Sequence, residues 1–131
     1  MLLKRAMQQS SCSNFLIDGF PRNKDNHDVW DSLMTDQALV RFLLFVDCSE
    51  EEMERRILRR SLNSGRIDDN ISSLRKRLVT YREQTLPVVD SFQKSGLVRV
   101  IDGTRHSDEV YRDVQSTFLA EFGHSARRDT A

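Results

Sequence analysis

The stretch RFLLFVDCSEEE, residues 41–52, passes from an unbroken apolar run to the start of a helix within a few positions. An apolar run without polar alternation is typical of a strand that is buried on both faces, as strands of parallel sheets are. Ser49, followed three residues later by Glu52, forms a capping box that predicts a helix to about residue 60. The stretch therefore predicts a strand at residues 41–47 that leads directly into a helix.

The same alternation of strands and helices continues on both sides of this stretch. Further strands are predicted at residues 14–18 and 97–102, and helices at residues 2–9, 25–34, 72–94 and 107–122, with a loop at 61–70. Pro87 is expected to kink the long helix. This alternation predicts an α/β fold, in which helices cover the faces of a parallel sheet. Ligands bind at the carboxyl ends of such strands, and the predicted strands end in Asp18, Asp47 and Asp102.

Length and composition limit the classes of function. The 131 residues suit one domain, and 20 basic side chains balance 20 acidic ones. A net charge of zero speaks against a broad nucleic-acid-binding or membrane-binding surface. The two cysteines, Cys12 and Cys48, show no zinc-binding spacing. Of the basic residues 16 are Arg and 4 are Lys, which fits recognition of phosphate or carboxylate groups and equally fits codon bias.

The segment DGFPR, residues 18–22, turns sharply polar at the expected exit of a buried strand. A carboxylate at this edge can hold Mg²⁺ directly or through water, but Asp18 taken alone also fits an ordinary capping residue. Gly19 lets a ligand approach the backbone, and Pro21 stiffens the turn. Arg22 would then project over the same edge.

Three arginines flank the predicted loop at residues 61–70, and they are Arg60, Arg66 and Arg77. If the loop closes, their guanidinium groups can converge on a phosphoryl group, where one such arginine is worth about 10³–10⁵ in rate. A solvated, charged helix face is the alternative, because RRILRR at residues 55–60 follows a run of glutamates. Asp68 and Asp69 fit two roles, as partners in loop closure or as caps of the next helix.

The chain resembles the nucleoside monophosphate kinases of the adenylate kinase superfamily, and most of all the eukaryotic UMP-CMP kinases. The segments that carry this resemblance are DGFPRNKDN (18–26), LLFVD (43–47), LRRSLNSGRIDDN (58–70), LRKR (74–77) and VRVIDGT (98–104). The resemblance runs from residue 2 to about residue 118. It implies a three-layer, P-loop NTPase-like sheet with a short lid at about 61–70, and transfer of the γ-phosphoryl group of Mg-ATP to CMP or UMP. It also implies a monomer of the cytoplasm, and also of the nucleus, that binds neither nucleic acid nor membrane.

On the acceptor side, the resemblance implies that Arg22 binds the phosphate of the nucleoside monophosphate. Gly19, Phe20 and Pro21 would shape that pocket, and Asp18 would lie near Mg²⁺, bound to it through water. The position of Asn26 is the one that reads the acceptor base. Adenylate kinases usually have Gln there, whereas the shorter amide of Asn can offer a donor and an acceptor to cytosine or uracil.

On the ATP side, the resemblance implies that Arg60 is the lid arginine. Arg66 and Arg77 would span the two phosphates during transfer. The turn from Gly103 to Arg105 resembles the one whose backbone meets the adenine of ATP, which makes Arg105 a further candidate for ATP binding.

The family's GxxxxGK[ST] loop, which cradles the phosphates of ATP, does not occur in this chain. In the family, the strand ahead of that loop lies between the strands that match residues 14–18 and 43–47. We therefore expect residues 1–131 to form a single, partial kinase domain with impaired or no turnover, because one lost phosphate donor already costs about 10²–10³ in rate. Either the two strands close up, or another chain fills the slot, or the chain does not fold alone. The alternative function is a non-catalytic fragment that binds a nucleotide or completes its sheet with a partner.

Overall fold

Two parallel strands form the sheet in the computed structural model, which describes residues 2–65 and 70–123. Strand β1 runs Leu43–Asp47 and strand β2 runs Val98–Asp102. Their register pairs Leu43 with Val98 and Asp47 with Asp102. Two of the aspartates that the sequence predicts at strand ends therefore lie side by side at the carboxyl edge of the sheet.

The helices are distributed between and around the strands. In chain order they are α1 (Leu2–Gln9), α2 (Lys24–Met34), α3 (Glu50–Ser64), α4 (Ile71–Thr80), α5 (Leu86–Lys94) and α6 (Ser107–Phe122), and a π-helical turn (Tyr81–Thr85) joins α4 to α5. Helix α5 packs against both strands, α2 packs against α5, and α3 packs against α4. The α/β class with a parallel sheet is confirmed. Among residues 2–65 and 70–123, no helix is both long and apolar enough to cross a lipid bilayer.

Helix α3 begins where the capping box predicts. The side chain of Ser49 accepts a hydrogen bond from the backbone N–H of Glu52 at 3.3 Å, as an N-cap does. The helix then continues through Ser64, because nothing in residues 61–64 breaks it before Gly65, whose φ of +61° ends it. Residues 61–64, which were predicted as part of a loop, therefore belong to α3.

The long helix predicted at residues 72–94 is divided into three parts. Pro87 has no backbone N–H to donate to Glu83, so the regular pattern of hydrogen bonds cannot pass through it. Instead, the N–H of Leu86 reaches back five residues to the carbonyl of Tyr81, which widens the helix into the π turn. The predicted kink at Pro87 thus takes the form of a π-helical turn just before the proline.

The N-caps of α4 and α6 are an asparagine and a histidine. Helix α4 is capped by Asn70, whose Oδ1 accepts from the N–H of Ser73 at 2.8 Å, while Asp68 and Asp69 lie outside the described residues. Helix α6 is capped by His106, whose Nδ1 accepts from the N–H of Asp108 at 3.3 Å. An imidazole nitrogen serves here as the acceptor that a Ser, Thr, Asp or Asn side chain more often provides at an N-cap.

The core lies where α2, α4, α5 and β2 meet. Its buried apolar side chains are Trp30, Met34, Leu74, Leu78, Val88, Phe92 and Ile101. The ring of Phe92 also makes an edge-to-face contact with His27, at 5.1 Å between ring centroids. Trp30 and Phe92 are the aromatic side chains of this core, at 7% and 9% exposure.

The structure contradicts the strand predicted at residues 14–18. The segment has no strand conformation, and its side chains are largely in solvent, with Phe15 41% and Leu16 83% exposed. A strand needs a neighbour for its backbone N–H and C=O groups, and within the described residues β1 pairs with β2 alone. The apolar composition of residues 14–18 is typical of a strand, but composition does not show whether a neighbouring strand is present to pair with it. Asp18 is therefore not at the end of a strand.

Candidate active site

The loop at residues 18–22 folds the side chain of Arg22 back over Gly19. The Nε of Arg22 donates to the carbonyl of Gly19 at 2.7 Å. Gly19 has a φ of +69°, and a Cβ at this position would lie 2.6 Å from Nη2 of Arg22. The left-handed backbone favours glycine here, and a Cβ would also displace the guanidinium group from its place over residue 19. The Phe20–Pro21 peptide bond of this loop is cis.

Both backbone groups of Arg22 are held by side chains. Its N–H donates to Oδ1 of Asn26 at 3.2 Å, and its carbonyl accepts from Oγ1 of Thr85 at 2.8 Å. Asn23 begins α2 as its N-cap, accepting from the N–H of Asn26 at 2.8 Å. Arg22 is consequently fixed between the first turn of α2 and the π turn, although the residue itself is exposed.

Phe20 connects the exposed loop to the core. Its ring lies 6.1 Å from the ring of Trp30 between centroids, with the ring planes tilted by 56°. Trp30 is 7% exposed and belongs to the core of α2. Pairs of aromatic rings at this separation attract one another beyond the area that they bury. The contact therefore anchors the loop one residue before Pro21 and two residues before Arg22.

Asn26 has a structural task that the sequence did not indicate. Its side-chain carbonyl accepts from Arg22, so the side-chain amide group remains as its donor toward a ligand. The residue is half-buried in the first turn of α2. Its predicted contact with the acceptor base stays a prediction, and its contact with the Arg22 backbone is a finding.

Asp18 supplies a single exposed carboxylate to the loop. Within residues 2–65 and 70–123, no group of three or more His, Cys, Asp or Glu side chains could hold a metal ion. Mg²⁺ in nucleotide sites is usually held by one or two carboxylates, with water and phosphate oxygens as the other ligands. One exposed carboxylate fits a water-mediated contact to Mg²⁺ that arrives with a nucleotide, and does not fit a dedicated metal cage.

The predicted arginines lie on different elements. Arg60 is on α3, five residues before Gly65, and Arg77 is on α4, against which α3 packs. Both are exposed. Arg66 lies outside the described residues. The convergence of these three side chains with Arg22 around one group therefore stays a prediction.

The turn after β2 is fastened to the end of β1. The N–H of Gly103 donates to the carbonyl of Asp47 at 2.7 Å, which extends the pairing of the strands by one hydrogen bond. Gly103 is buried, and a Cβ there would lie 2.8 Å from both the Asp47 carbonyl oxygen and Cγ1 of Val46. The carbonyl of Thr104 accepts from Nη2 of Arg56 at 3.1 Å, which ties the turn to α3. The turn and the helix of Arg60 thus form one connected unit.

Arg105, the second predicted ATP-side residue, takes part in ion pairs. It pairs with Asp113 of α6, and its Nε lies 3.7 Å from Oδ2 of Asp102. The hydroxyl and the backbone N–H of Thr104 donate to Asp102, and these hydrogen bonds lower the pKa of the Asp102 carboxyl group. Arg105 thus holds the turn against α6, and its predicted contact with ATP stays a prediction.

An open cavity of about 410 Å³ lies between α3 and α4, outside the predicted site. Its lining residues are Glu50, Glu51, Glu54, Arg75, Leu78, Val79 and Arg82. Nη1 of Arg82 and Oε1 of Glu50 form an ion pair across it at 3.0 Å. None of the predicted site residues lines this cavity.

Sequence reasoning missed two residues of the π turn. Thr85 contacts Arg22, which is 63 positions away, and Tyr81 is half-buried near Asp47, where burial and then the Asp47 carboxylate raise the pKa of its phenol group. The signal for the π turn was Pro87, two residues after Thr85. A proline predicts a break in the helix but not which side chain the break turns toward another segment.

Comparison with known proteins assigns most of the chain to one family. Residues 1–97 match the family model described as adenylate kinase. The chain is 48% identical over 117 residues to UMP-CMP kinase 1 of Oryza sativa subsp. japonica, which covers 89% of this chain and 46% of that protein. It is 47% identical to UMP-CMP kinase of Rattus norvegicus and 45% identical to that of Homo sapiens, each over 125 residues, 92% of this chain and 64% of those proteins. The chain therefore spans about half to two thirds of the length of these relatives.

Proposed function

The chain belongs to the adenylate kinase family, and we propose that it serves the transfer of the γ-phosphoryl group of Mg-ATP to a pyrimidine nucleoside monophosphate, CMP or UMP. The names of relatives at 45–48% identity, all UMP-CMP kinases, support the choice of acceptor. Because the chain spans only part of their length, the activity and the substrates are proposed here from the residues that are present.

The fixed position of Arg22 is the observation that carries the proposal. Its guanidinium group lies at the exposed side of a loop whose backbone is held by Asn26 and Thr85. A planar guanidinium fork binds two phosphate oxygens at once, and fixing it in advance lowers the entropy lost on binding. Helix α2 begins two residues later, so the positive end of its dipole also favours an anion here. We assign Arg22 to the phosphate of the acceptor nucleotide, with Gly19, Phe20 and Pro21 shaping its pocket.

Asn26 is assigned to the acceptor base. The side-chain amide of Asn26 is available as a donor, while its carbonyl already accepts one hydrogen bond from Arg22. Both pyrimidine bases present oxygen or nitrogen acceptors along their edge, so a donor suits either CMP or UMP. The same residue would then connect base recognition to the position of the phosphate-binding arginine.

The transfer step needs positioning and neutralisation of charge, with no covalent intermediate on the protein. Arg60, Arg66 and Arg77 are assigned to the negative charge that develops on the migrating phosphoryl group. Mg²⁺ carried by ATP would neutralise phosphate charge, and Asp18 would hold it through water. The turn from Gly103 to Arg105, which Arg56 ties to the helix of Arg60, is assigned to the adenine side.

We expect the chain by itself to bind the acceptor and to turn over poorly or not at all, because it contains no GxxxxGK[ST] loop. A coupled assay with ATP and CMP measures turnover, and calorimetric titration with CMP measures acceptor binding. Turnover at a rate typical of enzymes, on the order of 10 s⁻¹, would contradict the role given to that loop.

Replacement of Arg22 tests the acceptor site directly. Arg22→Ala is expected to weaken CMP binding by about 10-fold to 100-fold, the loss that hydrogen bonds to a charged group predict. Arg112→Ala, which removes an exposed arginine of α6, is the matched control and should leave CMP binding unchanged. Equal CMP affinity in the two variants would contradict the assignment of Arg22.

The second candidate function is that of a non-catalytic piece that binds a nucleotide or a partner chain. It is favoured by the sheet, since β1 has one strand neighbour in the described residues and the apolar segment 14–18 lies in solvent. A strand between β1 and that segment would complete a larger sheet, with helices on both faces, in a three-layer fold. Size-exclusion chromatography, CMP titration and the coupled assay together distinguish the candidates, because a monomer that binds CMP with measurable turnover favours the first, whereas a stable oligomer without turnover favours the second. We place such a protein in the cytoplasm, as a monomer when its sheet is complete.

A further inference from the structure

We propose that Thr85 is a positioning residue for Arg22, and that the π turn orients the Thr85 hydroxyl group toward the Arg22 carbonyl. The inference rests on the proposed function in giving Arg22 the acceptor phosphate. It goes beyond that function by assigning a second segment of the chain, distant in sequence, to the same site.

The contact between Thr85 and Arg22 joins two segments across the fold. Oγ1 of Thr85 donates to the Arg22 carbonyl at 2.8 Å, between residues that are 63 positions apart. Thr85 is half-buried, while Arg22 and the hydrogen bond between them lie at the surface. A threonine in a helix usually donates to its own helix, as Thr117 does to the carbonyl of Asp113 at 2.9 Å. Thr85 instead uses its hydroxyl outside its own helical segment.

The π turn determines where this hydroxyl points. In a regular helix each residue advances by about 100°, so one extra residue in the turn rotates every later side chain by that amount. The hydrogen bond from Leu86 to Tyr81 adds this extra residue immediately around Thr85. A regular α-helix through residues 81–85 would therefore present Thr85 to Arg22 at a different angle. Single π turns of this kind are frequent at functional sites.

The same helical segment also carries Arg77. Helix α4 runs without interruption into the π turn, and Arg77 lies eight residues before Thr85. The hydroxyl of Thr85 thus fixes the loop of the proposed acceptor-phosphate arginine to the segment of a proposed transfer arginine. Together with Asn26, it holds Arg22 from two directions, one through the N–H and one through the carbonyl.

Three variants test the role of Thr85. Thr85→Val keeps the shape and removes the hydroxyl, Thr85→Ser restores a hydroxyl, and Thr117→Val is the matched control on α6. The first readout is hydrogen exchange at the backbone amide of Arg22. The second is the affinity for CMP compared with that for cytidine, which lacks the phosphate.

We expect Thr85→Val to speed exchange at Arg22 and to lower the CMP-to-cytidine affinity ratio by about threefold to tenfold, the range for one lost hydrogen bond. Thr85→Ser should return both quantities to within about twofold of the original chain, and Thr117→Val should change neither. Unchanged exchange at Arg22 in Thr85→Val would overturn the positioning role. So would faster exchange throughout α4 and α5, or an equal loss of CMP and cytidine binding, because both indicate a merely structural role.

The two proposals fail in different ways. If the original chain binds no CMP, the proposed function fails, while exchange at Arg22 still tests the contact with Thr85. If Thr85→Val does not fold, a comparison of Thr85→Ser with Thr85→Ala replaces it. Equal Arg22 exchange in those two variants would then overturn the inference.

Discussion

Arg22 shows how three weak contacts, one to the side chain and two to the backbone, hold one exposed residue. The Gly19 carbonyl holds the guanidinium group, Asn26 holds the backbone N–H, and Thr85 holds the carbonyl. Each hydrogen bond contributes about 0.5–1.5 kcal/mol to stability at most. Their joint effect is to leave Arg22 few alternative conformations, which matters more for binding an anion than for folding. At the scale of residues, contacts within the chain thus hold the arginine that we propose for phosphate binding.

Replacement of Gly19 separates backbone strain from the position of Arg22. Gly19 and Gly96 have nearly equal φ values, +69° and +71°, but only a Cβ at Gly19 would meet Arg22. Each change to Ala is expected to lower the free energy of unfolding by about 1–2 kcal/mol, measured by urea denaturation. Only Gly19→Ala should shift the NMR signal of the Arg22 Nε–H group, because the guanidinium group must leave the Gly19 carbonyl. An unshifted signal would contradict the hydrogen bond from the Arg22 Nε to the Gly19 carbonyl.

Tyr81 makes the stability of the chain depend on alkaline pH. Burial, and to a smaller extent the Asp47 carboxylate, raise the pKa of Tyr81 above its ordinary value of 10.0. Below pH 10 both folded and unfolded chains keep the proton, so the contribution of this group is fully present. Above pH 10 the unfolded chain loses the proton first, and stability falls as pH rises through the folded-state pKa.

Asp47→Asn is expected to lower the pKa of Tyr81 without returning it to 10.0, because burial remains. Absorbance of the tyrosinate ion during a pH titration measures the shift, in a Tyr111→Phe background that removes the other tyrosine. A Tyr81 pKa that is the same with and without the Asp47→Asn substitution would exclude the carboxylate as a cause.

At the scale of elements, the sequence predicted what local signals determine and missed what distant partners determine. The capping box at Ser49 correctly begins α3, and Pro87 correctly interrupts the helix after α4, because both effects arise within one turn of chain. The direction of Thr85 was not predictable, since it depends on a π turn and on Arg22 at the same time. The loop at residues 18–22 was recognised from its motif, but its hydrogen bonds were not.

Replacement of Gly103 tests how the turn after β2 is joined to the end of β1. A Cβ there would lie 2.8 Å from the Asp47 carbonyl oxygen, a backbone atom of the paired strand that cannot move aside alone. Gly103→Ala is therefore expected to lower the free energy of unfolding by about 1–3 kcal/mol, as overpacking does. The backbone amide proton of residue 103, which donates to the Asp47 carbonyl, should also exchange faster with solvent. An unfolding free energy equal to that of the original chain would show that the turn relaxes at no cost.

At the scale of the whole molecule, the small sheet explains the one strand that the sequence predicted wrongly. The apolar run at residues 14–18 has the composition of a buried strand, but its backbone finds no partner strand in the described residues. Exposed apolar side chains lie on the two strands that do form, with Val46 50% and Val100 59% exposed. Apolar surface of this kind favours the proposal that a larger parallel sheet forms when a further strand is supplied.

The stability cost of replacing Leu16 distinguishes the two-stranded sheet of this chain from a larger sheet that includes residues 14–18. In this chain Leu16 is 83% exposed, so Leu16→Asp is expected to change the free energy of unfolding by no more than about 0.5 kcal/mol. Leu74→Ala, in the core at 4% exposure, should cost about 2–5 kcal/mol in the same urea titrations. In a chimera that adds a family GxxxxGK[ST] loop and the strand ahead of it, residues 14–18 are expected to become a buried strand, and Leu16→Asp should then cost more than about 2 kcal/mol. An equally small cost in the chain and in a folded chimera would show that this segment is not a strand in either, and would exclude the three-layer sheet.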